Sequence, residues 1–247
     1  MMTEPSPLEP RASPTSRWEW LDIVWYLLGG LGLYMLVGAL LEAILPRQPQ
    51  LDTLLKMGLN FTFLAGSAYV LGVRRGKFTW EEIGLSAGRW RWRYLGMAAA
   101  VAIGLFPLRV CLGIVVILLS GLDLTSLQAR QALVMPDASL SSFLISLLGV
   151  GVLAPFSEEL FFRGALYSWF RRRYGFLVAA GVSSIFFALA HIDNIGVVAS
   201  SLVLGFANAW LLERTRTIWT AVATHAINNS LAVLILYVGI AAQKLLT

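Results

Sequence analysis

Apolar positions along this chain come in long runs, without the two- or 3.6-residue alternation of half-buried strands and helices. Runs near 21–44, 52–73, 95–119, 142–162, 176–192, 195–212 and 217–242 approach or exceed the ~20 residues a helix needs to cross a hydrocarbon core roughly 30 Å thick. They predict seven membrane-spanning helices, and a break in the last would make eight. Pro155 lies inside the fourth run; it lacks a backbone donor and is expected to bend that helix without ending it. Residues 1–18 are polar and rich in Pro and Ser, which predicts a disordered cytoplasmic lead-in. The first run is too long for a signal-peptide core and is expected to be retained. The fold class is therefore an all-α polytopic membrane bundle, with 19–247 as one integral membrane domain.

Composition agrees with the pattern. Of 247 residues, 57% are hydrophobic and 13% charged, and the mean hydropathy is +0.72. Soluble domains carry about 25% charged residues, so a soluble enzyme, a disordered chain and a nucleic-acid module are excluded. The net charge of +5 points to anionic lipid headgroups as partners. The one cysteine, Cys111, lies in an apolar run and reads as packing. With the N-terminus inside, thirteen Lys and Arg fall in cytoplasmic segments, among them Arg74, Arg75, Arg171–Arg173, Arg214 and Arg216, against Arg47, Lys56, Arg130 and Lys244 outside. That bias predicts a cytoplasmic N-terminus, in a plasma membrane of bacterial type. The segment 74–94 mixes basic and aromatic residues and reads as an interfacial linker. Ser201, Gly205 and Ala209 form a small-residue stripe for close helix packing.

Intramembrane ionisable groups cost about 2.5–3.5 kcal/mol each on insertion scales and need a reason to be there. They gather in three clusters: Ser157-Glu158-Glu159-Leu160-Phe161-Phe162-Arg163, Phe187 to His191, and His225 to Asn229. Glu159 and Arg163 stand four apart and can pair. Glu158 is turned about 100° away and has no local partner, which makes it the more reactive carboxylate. The Arg171–Gly175 stretch reads as a turn between antiparallel helices, and positions 158 and 191 are equidistant from it, so they should meet at one level. His225 and Asn229 share a helix face and offer two donors to one point. A carboxylate with an imidazole can activate water, and two donors can hold an oxyanion; the set suits amide hydrolysis. Glu158, His191 and His225 could alternatively bind zinc, but H-E-x-x-H and a cysteine cluster are absent from the sequence. No cofactor is expected, with a divalent metal as the minority alternative. Asn60 and Asn208 read as interhelical hydrogen-bonding residues, and Arg109 as a structural or snorkelling group.

The three motifs, Glu158-Glu159…Arg163, Phe187…His191 and His225…Asn229, together with Pro155 and the WEEIGL string at 80–85, resemble the CAAX-protease and bacteriocin-processing (CPBP, or Abi) intramembrane endopeptidases. The resemblance covers about 75–235, the protease-like core, and it implies a multi-helix membrane endopeptidase. By that resemblance Glu158 and His191 activate the water, and His225 and Asn229 form the oxyanion hole. Glu159 and Arg163 would support the architecture and Phe187 would pack beside His191. The implied substrate is a membrane-associated or lipidated protein or peptide, reached through a cavity expected to open toward the cytoplasm. The alternative is a non-catalytic scaffold or immunity protein that retains the fold.

Overall fold

In the computed structural model, residues 18–46, 48–85, 90–121, 134–135, 137–192 and 194–246 are described. Seven principal helices occur among them: α1 (Trp20–Ile44), α2 (Leu51–Val73), α3 (Trp92–Leu119), α4 (Leu140–Tyr174), α5 (Phe176–Leu189), α6 (Ile195–Thr215) and α7 (Ile218–Leu246). No strand is present among the described residues. All but α5 are long and apolar enough to span a membrane, so the chain is an integral membrane protein with the expected all-α fold. The fifth predicted span is shorter than 176–192: its helix has 14 residues, about 21 Å at 1.5 Å per residue. The final helix runs unbroken through 29 residues. The expected lead-in falls on residues outside those described, except Trp18, which is 4% exposed and packs on Tyr26 and Phe78.

Local chemistry sets the helix ends. Glu19 and Asp22 form a capping box at the start of α1, Ser139 accepts from the Ser142 amide ahead of α4, and Asn194 accepts from the Val197 amide ahead of α6. These side-chain acceptors meet amides that have no carbonyl one turn back. Gly175, at φ +80° and ψ 179°, turns the chain between α4 and α5 in backbone space that is essentially glycine's alone.

The small-residue stripe of α6 faces inward. Ser201 and Ala209 are buried, and a Cβ on Gly205 would lie 2.8 Å from an Arg163 nitrogen and 2.9 Å from Ser184 Cβ. Cys111, by contrast, is exposed on the outer surface of α3, so the packing reading of it does not hold. Part of the 74–94 segment is built into the bundle. Phe78 and Ile83 are buried, and the Gly84 carbonyl accepts from the Ile218 amide at 3.0 Å, fastening the linker to the start of α7.

Two ends of the bundle can be told apart. At one, Trp169 Nε1 donates to the Trp18 carbonyl, Lys77 bonds Asp22, and Tyr167 and Arg171 bond Glu213. At the other, Lys56 pairs with Glu42 at 2.5 Å and Ser146 Oγ donates to the Val134 carbonyl.

Candidate active site

α4 carries the first cluster across the middle of the bundle, and its course there is not plain α-helix. Gly149–Leu153 and Leu160–Tyr167 are wound as π-helix, on either side of the α-helical turn Ala154–Glu159. In π geometry the amide of residue 155 would serve the carbonyl of residue 150. Residue 155 is proline and has no amide hydrogen. The Val150 carbonyl is met instead by Asn229 Nδ2 of α7, at 3.0 Å. α7 also comes close beside it, where a Cβ on Gly151 would lie 2.7 Å from Ser230 Oγ.

Glu158 and Glu159 point to different partners, as helix geometry requires of neighbours. Glu159 is fully buried and pairs with Arg163, also fully buried, at 3.3 Å. It further accepts from Asn208 Nδ2 at 2.8 Å and contacts His225 Nδ1 at 2.8 Å. The Arg163 guanidinium lies 4.4 Å from the centroid of Phe187, a favourable placement for a desolvated cation. Glu158 has no local partner, as expected, but it does have distant ones. Asn60 Nδ2 donates to its Oε1 at 3.0 Å, and His225 Nε2 stands 3.7 Å from its Oε2. Ser157 Oγ donates to Asn60 Oδ1 at 2.5 Å, which fixes the amide so that its NH2 faces the carboxylate.

The two histidines differ in what holds them. His191 Nδ1 lies 2.9 Å from the Phe187 carbonyl. A carbonyl only accepts, so the hydrogen sits on Nδ1 and the lone pair on Nε2, the form that suits a base. His225 bridges the two carboxylates, Nδ1 to Glu159 and Nε2 toward Glu158. An ionised Glu159, held by Arg163, places a hydrogen on Nδ1. Phe187 packs edge-on to both rings, at centroid distances of 5.1 Å to His191 and 5.4 Å to His225.

Glu158, His191, His225 and Asn229 all line one cavity of about 770 Å³, together with Asn60, Arg109 and Phe187. The structure thus gathers the residues of the three motifs. His225 Nδ1 is engaged by Glu159 and one N–H of Asn229 by the Val150 carbonyl, and these two bonds do not use His225 Nε2 or the second Asn229 N–H. Asn60 is more than a helix-to-helix bond, because its contact with Glu158 brings it into the candidate site. The available signal was an amide at mid-depth in an apolar run. Arg109 donates to the Ser200 carbonyl and to Asn228 Oδ1, both at 3.0 Å, and ties α3 to α6 and α7. Among the described residues no group of three or more His, Cys, Asp or Glu is placed to hold a metal ion.

The cavity runs from this polar floor toward Glu42, Lys56 and Ile192. These lie away from the Arg171–Arg173 turn.

Fold and site together define a class: a polytopic helical membrane protein with acid-base side chains gathered around an internal cavity. Residues 140–231 match the family described as type II CAAX prenyl endopeptidase Rce1-like. The match takes in all three motifs and supports the CAAX-protease (CPBP) family; it is narrower than the 75–235 of the motif resemblance and leaves out WEEIGL. No curated protein and no solved structure matches.

Proposed function

We propose that the chain is an intramembrane endopeptidase of the CAAX-processing type, with its N-terminus in the cytoplasm. The observation that carries the proposal is the convergence of Glu158, His191, His225 and Asn229 on one cavity wall. The family match supports the class in general terms.

In this reading a water sits between the Glu158 carboxylate, oriented by Asn60, and His191 Nε2. Its oxygen attacks the peptide carbonyl carbon while its proton passes to the base pair, and that proton then goes to the departing amine. The carbonyl oxygen gains negative charge as the water adds to the carbon, and gives it up when the carbonyl re-forms and the C–N bond breaks. His225 Nε2 and the second N–H of Asn229 are the donors for it. With a hydrogen already on Nδ1 toward Glu159, donation from Nε2 requires the doubly protonated ring. Glu159, Arg163 and Phe187 are positioning residues that hold that ring between the carboxylates.

Glu158→Gln keeps the shape and the Asn60 contact but removes the base. It is expected to abolish cleavage while the protein accumulates in membranes as wild type does. Retained cleavage would remove Glu158 from the mechanism, and failure to accumulate would make it a structural carboxylate. Cleavage is also expected to persist in a strong chelator. Loss on chelation with recovery on adding zinc would instead assign Glu158, His191 and His225 to a metal.

A further inference from the structure

We propose that Arg109 is the anion-binding residue of the cavity and holds a carboxylate of the peptide substrate, from a free C-terminus or an acidic side chain. The substrate in this statement rests on the endopeptidase reading; the anion site does not.

Three observations carry it. The first is the depth of the charge. Arg109 is half-buried in α3, ten residues short of Leu119 and seventeen beyond Trp92, which is about 15 Å and about 26 Å of helix rise. A cation so deep in a membrane-spanning segment is costly and calls for a partner or a function. Its Nε donates to the Ser200 carbonyl and its Nη1 to Asn228 Oδ1, both neutral acceptors. These bonds tie α3 to α6 and α7, but a neutral donor would tie helices as well. The positive charge is what they leave unexplained.

The second is the balance of charge along the cavity, whose lining includes Glu42, Lys56, Arg109 and Glu158. Lys56 is paired with Glu42 at 2.5 Å, and Glu158 is answered by Asn60 and His225. Among the described residues, Arg109 is the charge on this wall left without a counter-charge.

The third is what the guanidinium still offers, and where. It carries five N–H donors in a fixed fork that matches a carboxylate. The two bonds take one donor each from Nε and Nη1, and among the described residues none uses Nη2. Its bond to Asn228 sets it beside α7 next to Asn229 and three residues from His225, within about 4.5 Å of rise. An extended peptide advances about 3.3 Å per residue. A carboxylate within a few residues of the bond to be cut therefore falls in range of Arg109.

Charge-selective labelling tests the site without a known substrate. In a Cys111→Ser background, Ala232→Cys places a thiol on the cavity wall, four residues along α7 from Asn228. Its rates in detergent with a sulfonate and with a trimethylammonium thiosulfonate, each divided by the rate for free cysteine, give an anion preference. That preference is expected to fall by about tenfold in Arg109→Gln. Asn228→Asp keeps an acceptor for Arg109 and adds a counter-charge, so it should lower the preference similarly with the helices still tied. An unchanged preference in both variants overturns the proposal. Three N-acetylated apolar hexapeptides then compete for the cavity: one with a free C-terminus, one amidated, and one amidated with an internal Asp. Slower labelling with the first or third but not the second, lost in Arg109→Gln, is expected and names the source of the carboxylate. Equal protection by all three, or by none, overturns the proposal. Protection by dodecanoate alone would assign the site to a lipid acid and overturn the peptide reading. Labelling does not depend on cleavage. An anion preference with protection in a protein that cuts nothing would sink the endopeptidase reading alone, and cleavage with neither would sink the anion site alone.

Discussion

Two carboxylates adjacent in sequence end up in opposite electrostatic settings. Glu159 has a full counter-charge in Arg163 and a donor in Asn208, all of them buried. Glu158 has the amide of Asn60 and faces His225 across 3.7 Å. Removing one partner from a buried ion pair leaves the other charge uncompensated, at about 3–5 kcal/mol. Arg163→Met is therefore expected to destabilise the protein by that order in thermal or denaturant unfolding in detergent. Adding Glu159→Gln should recover part of the loss. Wild-type stability of the single variant would show that the pair does not hold the bundle. Asn60→Leu removes a hydrogen bond to a carboxylate, worth about 1.5–3 kcal/mol, and so about a ten- to hundredfold loss in kcat. As a positioning effect the loss should fall on kcat, with KM little changed; a raised KM at unchanged kcat would contradict it. The Glu159–Arg163 pair was legible in the sequence because its spacing is local. The Asn60–Glu158 and Glu159–His225 contacts span 98 and 66 residues. Nothing in the local pattern could indicate which of several apolar helices would deliver the partner.

The central helix α4 shows the same limit on a larger length scale. Pro155 could be read as a local disturbance of a membrane helix, and the structure passes through it with π-helical turns upstream. The sequence could not show that the freed Val150 carbonyl would be answered by Asn229 of α7. Asn229→Ala leaves that carbonyl without a donor and is expected to cost about 1–3 kcal/mol. Pro155→Ala restores an amide hydrogen, so Pro155→Ala/Asn229→Ala should regain stability. If Asn229 is also an oxyanion donor, the double variant stays inactive. Recovery of cleavage along with stability would reduce Asn229 to a helix support. Gly175→Ala should be destabilising by roughly 1–3 kcal/mol, because its backbone region is closed to L side chains; a neutral effect would mean that the α4–α5 turn relaxes freely. The span boundaries near Arg163 also explain themselves at this scale. The predicted span ends near 162, yet Arg163 is neutralised inside the bundle and the helix continues to Tyr174.

At the scale of the molecule, the all-α membrane fold was legible because the constraint is severe: apolar runs of this length have few other homes. The tilt and offset of the helices were not, and they decide where the cavity leads. Counting arginines gave an orientation, whereas the expected cytoplasmic mouth was carried over with the family resemblance. The cavity lining reaches away from the Arg171–Arg173 turn, toward Glu42, Lys56 and Ile192.

The most direct measurement is to map new protein C-termini in membranes of cells expressing the wild type or Glu158→Gln at matched levels. Chain ends present only with the wild type are expected, lying in or beside membranes. Identical sets of C-termini from the two, with both proteins folded in their native host, would contradict the endopeptidase account and favour a non-catalytic scaffold.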